Sequence, residues 1–230
     1  MLTLDGLVLE QGDFRLAADW TLEAGQRLAL VGPSGAGKST LLAGIAGFLR
    51  PASGRVCWQG RDMAGVAPGR RPIAMLFQDQ NLFPHLSVLR NVGLGIRPDL
   101  RLDPGQTQAV ADALRRVGLD GMGDRLPGSL SGGQQSRVAL ARVLVQHRPL
   151  LLLDEPFSAL GPALRAEMLD LVTALLDETG GTLVMVSHAP EDARRIGGML
   201  SLVDEGRAEA PIPVVEAFEA PGPALRRYLG

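Results

Sequence analysis

Nine consecutive residues carry the clearest chemistry in the chain: Gly32, Pro33, Ser34, Gly35, Ala36, Gly37, Lys38, Ser39 and Thr40. They fit the phosphate-binding template G-x-x-x-x-G-K-[ST], with Gly32, Gly37, Lys38 and Ser39 in register. Glycines let the backbone curl so that several N–H groups point inward at phosphate oxygens. Lys38 is the point charge expected on the β- and γ-phosphates, and the Ser39 hydroxyl is an expected Mg²⁺ ligand. A second chemical stretch follows the apolar run 150–153 and ends in Asp154 and Glu155. An acidic pair at the carboxyl end of a parallel strand sits where open α/β sheets bind ligands. Asp154 is expected to hold Mg²⁺, directly or through water. Glu155 is expected to polarise the water that attacks the γ-phosphate. His188 follows another apolar run, 183–186, after Ser187. A lone histidine is usually structural; this one stands on the ligand side of its strand, in range of the γ-phosphate or the attacking water. The stretch Leu130-Ser131-Gly132-Gly133-Gln134-Gln135 opens a helix. Alone it reads as an ordinary helix cap; beside the other motifs it reads as a second anion site with exposed N–H groups.

These residues need a sheet and its helices to hold them. Residues 27–31 read as a buried strand leading into the loop, and Leu41, Leu42, Ile45 and Leu49 recur at helical spacing behind it. The helix that starts at the loop aims its positive end at the anion. Strand, loop and helix in order argue against a chance glycine-rich turn. Residues 2–9 and 15–22 read as two short strands around a turn at Gln11-Gly12-Asp13. Residues 55–58 form another strand, and 73–77 is an apolar run of the kind covered on both faces, ending at Gln78. Residues 61–72, rich in Gly, Pro and Arg, are expected to form a solvated loop that includes Arg70-Arg71. From about Asn81 to Leu130 the pattern turns helical, with Asp103 before Pro104 as cap and first turn and Gly118 as stop. This is a helical insert in a sheet-bearing core of residues 1–80 and 131–230. Pro162 opens a helix to about Thr179, residues 190–196 form a short one, and 200–203 a last strand.

Composition narrows the classes. A chain of 230 residues allows one domain, or one with an inserted subdomain. A net charge of -2 gives no basic field for nucleic acid. Cys57 is the only cysteine, which excludes an internal disulfide and suits a reducing compartment. No apolar run approaches the ~18 residues of a membrane span. The start, Met1-Leu2-Thr3-Leu4-Asp5, lacks the pattern of a signal peptide.

Together the motifs resemble the ATP-binding subunit of ATP-binding-cassette (ABC) transporters over nearly the whole chain. The resemblance runs through the phosphate loop, Gln78, residues 130–134, residues 150–155, Ser158-Ala159-Leu160 and His188, in family order. It implies an α/β P-loop NTPase fold, with a mixed sheet, flanking helices, a helical subdomain insert and an N-terminal antiparallel β region. It implies ATP and Mg²⁺ as ligands, with Ser39, Gln78 and Asp154 around the metal and Lys38, Gln78, Glu155 and His188 in catalysis. Ser131, Gly133 and Gln134 are implied to meet the γ-phosphate of a second copy in a head-to-tail homodimer. Integral membrane permease subunits and an extracytoplasmic solute-binding protein are implied partners, with the chain peripheral on the cytoplasmic face of the inner membrane.

A closer resemblance is to thiamine-import members. It rests on Gly47-Phe48-Leu49, Arg70-Arg71-Pro72, residues 75–78, Asn81-Leu82-Phe83-Pro84-His85 and residues 91–95. Importers of polyamines, sulfate or metals are the alternative, as is a nucleotide-gated regulator with little turnover. Leu82, Phe83 and Leu86 are candidates either for permease docking or for insert core. Three positions depart from the family pattern. Gln11 stands where an aromatic usually stacks on adenine, with Phe14 either a substitute or an ordinary strand residue. Gly161 replaces the usual aspartate after Ser-Ala-Leu. The extra arginine common after the family's signature, here Leu130-Ser131-Gly132-Gly133-Gln134, is missing from Gln134-Gln135-Ser136-Arg137.

Overall fold

The computed structural model describes residues 1–229. Leu2–Gln11 (β1) and Phe14–Leu22 (β2) form the expected antiparallel hairpin, with Gln11 opposite Phe14 at the turn. Arg27–Val31 (β3) leads into the phosphate loop, and Lys38–Ala46 (α1) follows it. Ser53–Trp58 (β4) and Arg61–Asp62 (β5) extend the hairpin into an antiparallel layer. Ile73–Leu76 (β6) enters the sheet before the helices Val88–Gly93 (α2) and Pro104–Arg116 (α3), which fall in the stretch expected to be the insert. Gly132–Leu144 (α4) and Leu150–Asp154 (β7) come next. Pro162–Thr179 (α5), Thr182–Val186 (β8), Pro190–Ile196 (α6) and Met199–Asp204 (β9) continue the alternation. Arg207–Ala208 (β10), Ile212–Pro213 (β11), Val214–Glu219 (α7) and Pro223–Leu229 (α8) complete it.

The sheet runs β5-β4-β1-β2-β10-β9-β3-β8-β7-β6, with β11 also on β9. Strands β9, β3, β8, β7 and β6 are mutually parallel, and β10 joins them to the antiparallel layer. All five parallel strands point their carboxyl ends the same way, which gathers their terminal loops on one edge.

Two cores explain the unbroken apolar runs. Ala29, Val31, Leu151, Leu153, Leu183 and Met185 face the helices α2 to α7. Leu28, Leu30, Leu150, Leu152, Val184 and Val186 face α1 and the antiparallel layer. Alternate residues of one strand thus serve opposite cores, so no polar face is left to alternate. Helix α1 lies inside the second core through Leu41, Leu42 and Ile45, each with no exposure.

Two expectations change. Arg71 is not solvated: it is 6% exposed. Its guanidinium donates to the carbonyls of Ile45 at 2.6 Å, Met63 at 3.0 Å and Val66 at 3.1 Å. It caps the carboxyl end of α1, where a cation belongs. The insert is also less helical than its pattern: α2 has 6 residues and α3 has 13. Buried Asn91 organises much of the remainder, accepting from the Phe83 N–H and donating to the carbonyls of Phe83, Leu86 and Ser87. Helix α3 has the expected Asp103 cap, reciprocated by Gln106.

Candidate functional site

The phosphate loop spans β3 and α1. Gly32 has φ +146°, and a Cβ there would fall 2.1 Å from the Val203 carbonyl oxygen, so only glycine lets the loop leave beside β9. Gly37, at φ 100°, is the N-cap of α1 and supplies no side-chain acceptor. The first N–H groups of α1 are therefore available to an anion. The Phe14 ring packs against Gly37, leaving no space for a Cβ. Lys38 is 4% exposed, and its Nζ donates to the carbonyls of Gly32 at 2.8 Å and Pro33 at 2.7 Å. Burial lowers its pKa, against the opposing pull of Glu155 and Asp154. A phosphate oxygen at this point would compensate the buried charge.

Ser39 Oγ donates to Asp154 Oδ1 at 2.8 Å. Burial raises the Asp154 carboxyl above its usual range, opposed by the Ser39 hydrogen bond. Two hard oxygen donors, joined across the loop and the end of β7, suit Mg²⁺, which takes few protein ligands and completes its shell with water and phosphate. No group of three or more His, Cys, Asp or Glu fit for a metal occurs among the described residues. Glu155 follows in the left-handed region, φ 47°, which turns its side chain away from the path of Asp154. Its carboxylate contacts the His188 Nε2. A cavity of about 40 Å³ between Glu155, His188, Phe157 and Arg165 has room for about one water.

The structure thus brings residues 32–40, Asp154, Glu155 and His188 together. Gln78 stands exposed beyond β6, next to β7 on the same sheet edge. Ser131, Gly133 and Gln134 stand elsewhere, at the start of α4, and among the described residues no hydrogen bond joins them to the phosphate loop. Ser131 Oγ accepts from the Gln134 N–H, and Gln134 Oε1 accepts from the Ser131 N–H. This capping box leaves the Ser131 O–H free to donate. A Cβ on Gly133 would fall 2.4 Å from Leu164, so glycine allows α4 to seat on α5.

A family model described as ABC transporter matches residues 17–158. The chain belongs to the ABC transporter family. Its sequence is 61% identical to the thiamine import ATP-binding protein ThiQ of Cereibacter sphaeroides, covering 100% of both chains. It is 56% identical to the ThiQ of a Ruegeria species, again over 100% of both. Among solved structures, a dimeric ATP-binding cassette in a post-hydrolysis state, bound to ADP and Pi, superposes with TM-score 0.79. That pair is 28% identical, over 93% of this chain and 99% of the other. The protein cbiO1 from Clostridium perfringens, part of the complex cbiONQ, gives 0.84 at 28% identity, over 95% and 90%. The ABC-ATPase fold is therefore the fold of this chain.

Motif reading of this ABC chain missed the group that holds the histidine loop. Ser187 Oγ donates to Asp192 Oδ2 at 2.6 Å and accepts from the Ala189 N–H at 3.0 Å. Arg165, from α5, donates to Ser187 Oγ at 3.1 Å and to Asp192. Asp192 is 7% exposed, so the pair is largely withdrawn from water. The sequence signal was weak: an acid in the first turn of α6 and an arginine on α5, 27 residues apart.

Proposed function

We propose that this chain is the ATP-hydrolysing subunit of a membrane importer for thiamine or thiamine phosphates. The observation that carries the cargo is identity of 61% to a thiamine import ATP-binding protein along the full length. The chemistry rests on the site. Residues 32–40 cradle the phosphates, and Lys38 neutralises them. Ser39 and Asp154, with Gln78 on the same sheet edge, would hold Mg²⁺, which would supply charge neutralisation for the phosphates. Glu155 takes or orients the proton of the attacking water, and His188 holds the carboxylate and the γ-phosphate in line.

Ser131, Gly133 and Gln134 lie away from the loop, which supports a head-to-tail homodimer. Each copy then presents its Ser131 O–H and α4 N–H groups to the γ-phosphate on the other. Hydrolysis would remove the shared charge and open the pair. Phe48 is 59% exposed and Phe77 38%, with ring centroids 5.8 Å apart; Phe83 is 46% exposed. An apolar patch of this kind beside Gln78 fits permease subunits. Leu82 instead packs against the core. Among the described residues no helix is long and apolar enough to cross a membrane. That agrees with a peripheral subunit on the cytoplasmic face, with a solute-binding protein on the other side of the permease.

The test is ATP hydrolysis by the chain assembled with its permease and binding protein in lipid vesicles. Stimulation by thiamine-loaded binding protein, lost in Lys38→Ala, is the expected result. Hydrolysis indifferent to thiamine would keep the motor and reassign the cargo to another solute such as a polyamine, sulfate or metal. ATP binding without any turnover would favour a regulator, and Gly161 would be the first residue to change.

A further inference from the structure

Tyr228 belongs to none of the motifs. It stands on α8, which is anchored by Leu225, 5% exposed, and by Leu229 and Tyr228 itself against the helix-side core. The Tyr228 hydroxyl donates to the His188 carbonyl at 3.1 Å. A hydroxyl on α8 therefore meets the residue that carries the imidazole. Tyr228 and His188 are 40 residues apart in the chain.

The geometry around His188 leaves it otherwise free on this side. Ser187, Asp192 and Arg165 hold the residue before it. The His188 side chain is 43% exposed and its imidazole contacts Glu155. The backbone of His188 accepts from Tyr228, and nothing else described holds its carbonyl.

We propose that Tyr228 is a positioning residue for ATP hydrolysis, its hydroxyl tying α8 to His188 and so fixing the imidazole against Glu155. The inference rests on the hydrolysis reading above. Misplacement of a catalytic group by about 1 Å costs up to roughly a hundredfold, so one lost tether in a loop held elsewhere costs less.

Tyr228→Phe keeps the ring and its packing and removes only the tether. Relative to the unmodified chain, kcat for ATP should fall about three- to tenfold with KM changed less than about twofold, the split expected when ground-state binding is untouched. An unchanged kcat would overturn the proposal. So would a rise in KM with a large loss of thermal midpoint, which marks a structural role. A second readout needs no turnover. The chain has 3 histidines, so the His188 ring signal in NMR is assignable by comparison with His188→Ala. In Tyr228→Phe that signal should move while those of His85 and His147 stay; a stationary His188 signal would overturn the proposal. If the unmodified chain fails to hydrolyse ATP, the hydrolysis reading falls, and the NMR result still decides whether Tyr228 sets His188.

Discussion

Asp154 and Glu155 are adjacent carboxylates given different surroundings by one backbone torsion. Asp154 continues β7 and meets Ser39; Glu155 turns back to His188. Burial raises the Asp154 carboxyl above the ordinary carboxylate range. For an acid so raised, the folded state binds more protons than the unfolded state in the window between the two pKa values. Stability from this group is complete below the unfolded pKa and is lost as pH rises through the folded one. At neutral pH the charged Asp154 therefore costs stability in the nucleotide-free chain. Asp154→Asn should raise the thermal midpoint at pH 7, with the gain shrinking as pH falls toward about 4. It should also abolish Mg²⁺-dependent hydrolysis. A midpoint below that of the unmodified chain at pH 7, in a thermal melt across pH, would show that burial is not the dominant effect. The same trade of stability for function is the general expectation at a site built around charge.

At the scale of elements, helix ends do much of the positioning. Helix α1 carries the anion-facing N–H groups at one end and Arg71 at the other. Removing Arg71 leaves the Ile45 carbonyl without a donor inside the protein and takes one of two donors from the Met63 carbonyl, which keeps the Val66 N–H. Arg71→Ala should cost roughly 2–3 kcal/mol in urea unfolding, as expected for buried acceptors losing a charged donor. A loss under about 0.5 kcal/mol would mean water takes its place. Helix α5 has Gly161 as N-cap, extended at φ -63° and ψ 158°, with no side-chain cap. A Cβ there meets nothing within 4 Å, so Asp fits without strain. Gly161→Asp should stabilise α5 by a few tenths of a kcal/mol. It should also raise cooperative ATPase activity, because a carboxylate then stands beside the Glu155 loop. Unchanged cooperativity in ATP titrations would mean the position is uncoupled in this protein.

For the whole molecule, one chain would present half of each ATP site in the proposed head-to-tail dimer. The loop, acids and histidine gather at the carboxyl edge of the parallel strands, while the Ser131 cap stands at the start of α4. A cavity of about 330 Å³ between α4 and α5 opens at the opposite end of β7 and β8, beside Pro149 and Thr182. It has no carboxylate in its lining and no part in this chemistry. Glu155→Gln should lower steady-state hydrolysis by about a hundredfold or more while keeping ATP binding. With ATP it should run as a dimer in light scattering. Adding Ser131→Asp keeps a good N-cap but sets a negative charge against the γ-phosphate, so the dimer should be lost. A dimer that persists in the double variant would place the signature outside the interface.

The amino-acid sequence by itself determined the chemistry that is contiguous. A phosphate loop positions its own N–H groups, so Gly32 to Thr40 needed no distant partner to be read. The apolar runs 150–153 and 183–186 announced strands covered on both faces, and the acids after the first of them followed. The caps at Asp103 and Ser131 were legible because their partners lie three residues away. Tertiary structure decided whatever depends on partners far along the chain. Arg71 looked like a solvated loop residue because what buries it is the end of α1, 26 residues earlier. The insert looked more helical because apolar spacing cannot separate a helix from a loop folded around one buried asparagine. Arg165, Asp192 and Tyr228 had no motif, since Arg165 meets Ser187 and Asp192 22 and 27 residues on, and Tyr228 meets His188 40 residues back. Local backbone geometry is written in neighbouring residues; burial and long-range hydrogen bonding exist only once the sheet has brought its loops to one edge.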